Sequence, residues 1–96
     1  MKIKFTTAAH FEFKKAIEYY NSVRDGLGYE FVLEIDKGIK NIEKFDSAWQ
    51  LLSAGIRRYL IKRFPYGIIY SKDKDTIIVL SIMCLHQKPE KWDKLF

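Results

Sequence analysis

An α+β domain, with a helical hairpin packed on one face of a small sheet, is the fold class predicted by three features of the 96-residue sequence. Apolar side chains recur at spacings of three and four from Ala8 to Phe45. Runs rich in β-branched and aromatic residues follow from Ile56 to Met83, and a short alternating stretch, KIKF, precedes both. The expected order is one N-terminal strand, an antiparallel pair of helices, then three antiparallel strands.

KIKF alternates polar and apolar side chains and suits a strand ending near Phe5. Thr6 or Thr7 then offers a hydroxyl to cap a helix. From Ala8 to Arg24, Ala9, Phe13, Ala16, Ile17, Tyr20 and Val23 form one stripe opposed by Glu12, Lys14, Lys15 and Glu18. Gly26 supplies a left-handed position in RDGLGYE, so the chain reverses there. The helical spacing resumes with Leu27, Phe31, Ile35, Ile39, Ile42 and Phe45, and Gly38 on that face suggests close approach of the two helices. DSAWQLLSAG reads as a loop. Strands follow at about Ile56 to Phe64, Tyr66 to Lys72 and Thr76 to Met83, with Pro65 breaking the first two and KDKD turning between the last two. TIIVLSIM is nearly continuous in apolar residues, as a central strand requires.

A chain of this length most simply forms one domain, residues 1–96. With 48% hydrophobic and 16% aromatic residues it has ample core material, which argues against disorder. Seventeen Lys and Arg against 12 Asp and Glu give a net charge of +5, which biases encounters toward acidic partners without naming one. Cys84 is the only cysteine, so an internal disulfide is excluded. MKIKFTTAAHFEF has no uninterrupted apolar core, and no stretch approaches the roughly 20 apolar residues that span a bilayer. A cytoplasmic location with no membrane partner is expected.

The most distinctive segment is IRRYLIKRFPYGIIY, with Arg57, Arg58, Lys62 and Arg63 inside seven residues. Strand periodicity sorts it into two rows: Arg57, Tyr59, Ile61 and Arg63, and Ile56, Arg58, Leu60, Lys62 and Phe64. Edge protection and simple solvation explain many such charges. Four together, beside Tyr59, Tyr66 and Tyr70, also suit a phosphate or an acidic peptide, because guanidinium forks match carboxylate and phosphate bidentately and tyrosine rings stack with bases.

AIEYYNSVRDGLGYEFVLEIDKGIKNIEKF, GIRRYLIKRFPYGIIYSKDKDTIIVLSIM and HQKPEKW together closely resemble the RelE/ParE superfamily of bacterial type II toxins, on the ParE side. The most specific parts are Tyr19, Tyr20, Gly26 to Gly28 and Phe31 in the hairpin, the RFPY element at Arg63 to Tyr66, and Lys88, Pro89 and Trp92 near the end. The resemblance implies a toxin wrapped and neutralised by the C-terminal segment of a cognate antitoxin. ParE-like members inhibit DNA gyrase by binding. RelE-like members cut messenger RNA on the ribosome, and a third alternative is a domain that binds antitoxin but has lost toxicity. The expected target- or antitoxin-binding set is Arg57, Arg58, Tyr59, Lys62, Arg63 and Lys88. Trp92 is expected to fold back as a lid over sheet or hairpin.

RNA cleavage by a 2′-hydroxyl needs a proton acceptor, a donor for the leaving oxygen and cations for the developing charge. The basic cluster supplies the cations. RelE-like nucleases resemble one another in adding an Arg on the last strand and a Tyr or His near the C-terminus, whereas here VLSIMCLHQKP has no arginine and the tail no tyrosine. His86 is the single candidate proton carrier, since imidazole titrates near neutrality, but a lone histidine beyond a strand is commonly a surface residue. No catalytic set is complete, and the balance favours a non-enzymatic inhibitor. Cys84 has no adjacent base and reads as a small core side chain. Two His and one Cys lack zinc-site spacing, and DGLG joins two helices rather than a strand to a helix, so no metal or small-molecule cofactor is expected.

Overall fold

A computed structural model describes residues 1–86 of the chain. Strand β1 (Lys2–Phe5) leads into helices α1 (Thr7–Val23) and α2 (Leu27–Lys44), followed by strands β2 (Gln50–Ser53), β3 (Ile56–Leu60), β4 (Tyr66–Asp73) and β5 (Thr76–Cys84). The five strands make one sheet in the order β1-β5-β4-β3-β2. β1 runs parallel to β5, from Lys2 opposite Thr76 to Phe5 opposite Val79, and every other pairing is antiparallel. The α+β class and the element order follow the sequence reading, with a fourth strand after the hairpin where DSAWQLLSAG was expected to be loop.

Local chemistry explains the boundaries. The Thr6 hydroxyl caps α1 by accepting from the Ala9 amide at 3.0 Å, and it donates at 3.2 Å to the Leu80 carbonyl on β5. Gly26, at φ 85°, holds the left-handed position that starts α2. The glycine of α2 that meets α1 is Gly28 rather than Gly38. A Cβ on Gly28 would lie 2.7 Å from Asn21, whose Oδ1 accepts the Gly28 amide at 2.9 Å. Gly38 instead presses α2 onto the sheet, where a Cβ would meet Ile68 and Tyr59 at 2.9 Å.

The expected strand from Ile56 to Phe64 stops at Leu60. Ile61 and Phe64 are both buried, and that spacing of three breaks the strand period. Arg63 adopts φ 71°, and Pro65 follows. The Ile61 amide bonds the Tyr66 carbonyl at 3.1 Å and closes the turn.

The core lies between the helices and the sheet. Phe31, Ile35 and Ile42 of α2 and Ala9 and Ala16 of α1 meet Tyr59, Ile68, Tyr70, Ile77, Val79 and Ile82. The last member of each predicted helical stripe, Val23 and Phe45, is exposed instead, because each helix ends there and leaves the sheet behind. β5 carries one extra residue at Leu80, between Val79 opposite Tyr70 and Ser81 opposite Ile69. This β-bulge lets Val79 and Ile82 both face the core despite a spacing of three. The Ser81 hydroxyl and Ile82 amide then donate to Glu12 Oε1 at 2.9 and 3.1 Å, which pins α1 to the irregularity. No described helix is long and apolar enough to cross a membrane.

Candidate functional site

The basic segment does not present a single positive face. Arg57 lies in the row of Tyr59, toward the helices, and its Nη1 donates to the Trp49 carbonyl at 2.8 Å. Arg58 lies in the opposite row. Its Nη2 donates to Gln50 Oε1 at 2.6 Å, and its stem crosses Gly67, where a Cβ would stand 3.2 Å from Cγ and Cδ. The missing side chain of Gly67 thus makes room for the arginine.

Arg63 is held by the molecule itself. Its guanidinium donates to Glu30 Oε1, lies 3.8 Å from Glu34 Oε2, and sits 5.4 Å from the centre of the Phe64 ring. Arg24 holds the other oxygen of Glu30 at 3.0 Å. The hydrogen bonds from Arg63 and Arg24 place the Glu30 carboxyl below its ordinary pKa, and the Arg63–Glu30 bond raises that of the guanidinium. Both partners therefore favour the charged pair. For a carboxyl depressed on folding, the stabilisation is present above its unfolded pKa and lost as pH falls through the folded one. Replacing Glu30 with Gln is expected to destabilise the chain at neutral pH, and acid titrations followed by circular dichroism should converge below the carboxylate range. A difference that persists undiminished at low pH would show that the charge is not the cause.

Lys62 is exposed and enters no ion pair with the described residues. Together with Arg58, Tyr59 and Leu60 it lines a groove of about 500 Å³ at the edge of β3, completed by Asn41, Trp49 and Gln50. The Trp49 ring stands edge-on to Tyr59, with centroids 4.7 Å apart, and Asn41 Nδ2 donates to the Tyr59 hydroxyl at 2.9 Å. Trp49 is thus both a plug against the core and a wall of the groove. Of the expected set, Arg58, Tyr59 and Lys62 line this groove, whereas Arg57, on the face of Tyr59 but spent on the Trp49 carbonyl, and Arg63, held by Glu30, do not. Lys88 and Trp92 lie outside the described residues. Asn41 and Gln50 escape a sequence reading because neither belongs to a motif, and their place depends on β2 forming.

His86 is exposed on the rim of a different hollow, formed with Tyr19, Tyr20, Pro65, Tyr66 and Cys84, which shares no residue with the groove. Burial, with a further contribution from Cys84, pushes the Tyr66 and Tyr20 hydroxyls above the ordinary tyrosine pKa, which makes neither a proton acceptor at neutral pH. Tyr70, raised to about 12 mainly by burial, donates to the Asp46 carbonyl at 2.7 Å in a structural role. Among the described residues no group of three or more His, Cys, Asp and Glu side chains could hold a metal ion. On the face of the sheet away from the core, Leu52, Ile56, Ile69, Leu80 and Met83 line a third hollow of about 300 Å³.

Residues 3–89 match the family model described as the ParE toxin of the type II toxin-antitoxin system, parDE. A solved structure titled as a chromosomal ParDE toxin-antitoxin system from P. aeruginosa is similar in fold, with a TM-score of 0.70 at 15% identity over 90% of this chain and 97% of that one. No curated protein matches the chain in sequence.

Proposed function

The chain belongs to the ParE toxin family of type II toxin-antitoxin systems, and from that membership we propose that it inhibits DNA gyrase in the cytoplasm and is neutralised by a cognate antitoxin. The observation that carries binding over RNA cleavage is the divergence of the cations. Arg57 is turned to the Trp49 carbonyl, Arg63 is clamped by Glu30, and His86 stands on a hollow apart from Arg58 and Lys62. Phosphodiester cleavage requires proton carriers and cations around one phosphate within hydrogen-bond reach. Inhibition by docking requires only a complementary surface, and the groove bordered by Arg58 and Lys62 is the best formed candidate for part of it.

The deciding experiment adds the purified chain to gyrase and relaxed plasmid, in parallel with primer extension on messages under translation. Loss of supercoiling, restored by the antitoxin, with intact messages is the expected outcome. Codon-spaced cuts with unaffected supercoiling would establish the ribosome-dependent nuclease instead. Neither effect from a folded chain that still binds antitoxin would identify a domain that has lost toxicity.

A further inference from the structure

Arg63 stands at φ 71°, a left-handed angle that glycine adopts freely and a long side chain rarely does. An arginine is kept there nonetheless, and its side chain supplies the reason. The guanidinium reaches α2, donating to Glu30 Oε1 and lying 3.8 Å from Glu34 Oε2. Glu30 sits in the first turn of α2, and its other oxygen is held by Arg24, the cap residue that ends α1. One charged network thus ties the end of one helix, the start of the next and the turn between β3 and β4.

The rest of that turn is fixed by other means. Ile61 and Phe64 are buried. The Ile61 amide bonds the Tyr66 carbonyl, the Tyr66 amide the Phe64 carbonyl and the Leu85 amide the Pro65 carbonyl. Among the described residues no backbone hydrogen bond of the turn reaches Lys62 or Arg63, so the Arg63 side chain is the anchor for this pair. Lys62 beside it is exposed, enters no ion pair with the described residues and lines the groove with Arg58. A strained backbone angle persists only where its surroundings over-determine it, and such positions gather at working sites.

We propose, resting on the gyrase reading above, that Glu30 is a positioning residue for target binding: by clamping Arg63 it holds the left-handed turn that directs Lys62 to the groove, where the ammonium contacts gyrase. The sign of the effect separates this role from charge attraction. Glu30→Gln removes a negative charge and raises the net charge of +5 by one, which by attraction alone would tighten binding to the acceptor that Lys62 meets. Positioning demands the opposite result, because a turn released from its clamp must be ordered again at the moment of binding.

The test measures, for the full chain and its variants, the concentration that halves gyrase supercoiling, with circular dichroism to verify folding and ¹⁵N spectra to follow the turn. Lys62→Met is expected to raise that concentration by about 10-fold, the size of a lost charged contact. Glu30→Gln should raise it by about 3- to 10-fold, as the ordering of a loop costs. The two together should do no worse than Lys62→Met alone, since one residue acts through the other. Arg63→Gly accepts the left-handed angle without the clamp and should repeat the Glu30→Gln result, which covers a Gln variant that fails to fold. Asp36→Asn makes the same charge change on α2, breaking only the exposed pair with Lys40 at 2.9 Å, and should stay within about threefold of wild type. In the spectra, Glu30→Gln should shift the Lys62 and Arg63 amides. Folded Glu30→Gln and Arg63→Gly variants that inhibit as well as wild type, or whose losses add in full to that of Lys62→Met, overturn the positioning role and leave the gyrase reading standing. A wild-type chain that leaves supercoiling untouched sinks that reading and the gyrase contact with it. The spectra then judge the clamp alone, and a Lys62 amide unmoved in Glu30→Gln would show that Glu30 does not hold the turn.

Discussion

Replacing Phe31 with Ala is expected to lower the unfolding free energy by about 3–5 kcal/mol, the range for a large aromatic removed from a packed core. Phe31 is fully buried on α2, and its ring centre lies 5.0 Å from Tyr66, 5.2 Å from Phe64, 5.3 Å from Tyr20 and 6.0 Å from Phe13. These rings come from α1, from β4 and from the turn after β3, so no single element can move in to fill the void. Much of the stability of a chain this size is at stake, because small domains total about 5–15 kcal/mol. Urea denaturation of wild type, Phe31→Leu and Phe31→Ala would measure it, with the Leu variant falling between the others. A loss below about 1 kcal/mol for Ala would mean that the aromatic cluster is not a mechanical centre of the fold.

Gly38→Val is the second large effect, and it acts by crowding. A Cβ at this position already stands 2.9 Å from both Ile68 Cδ1 and Tyr59 Cε1, on two adjacent strands. One turn further along α2, Asn41 is tied to the Tyr59 hydroxyl, so the helix cannot lift away without losing that bond. Overpacking of this kind costs about 1–3 kcal/mol, more than the few tenths that Val gains over Gly in helix propensity. Equilibrium denaturation beside wild type would check it. A variant as stable as wild type would show that α2 has room above the sheet.

Both helices were legible because each buries one long face at a period that few other structures share. The ends of the stripes misled, since Val23 and Phe45 keep the spacing but lie where the helix has passed beyond the sheet. β2 was not legible. Four residues, three of them exposed, carry almost no periodic signal, and their extended form depends on pairing with β3. The register change at Leu80 was hidden for a related reason, because a continuously apolar strand looks the same with or without a bulge.

The basic segment shows the limit most clearly. Its two rows hold through Ile61, and Arg57 and Arg58 do point to opposite sides. Past that point the left-handed Arg63 ends the alternation, and residues expected on separate faces, Ile61 and Phe64, enter one core. Glu30, 33 residues away from Arg63 along the chain, then claims its guanidinium. Only Arg58 and Lys62 remain together at the groove.

By itself the sequence determined the α+β class, the helical hairpin, the presence of three antiparallel strands after it and the concentration of charge in one segment. These are properties of neighbouring residues, set by side-chain period and turn chemistry. The tertiary structure decided the parallel place of β1, the fourth strand, the direction of each cation and the gathering of Trp49, Asn41 and Arg58 around one opening. Those depend on contacts between residues far apart in the chain, where the free energy of packing, not local preference, selects which side chain meets which.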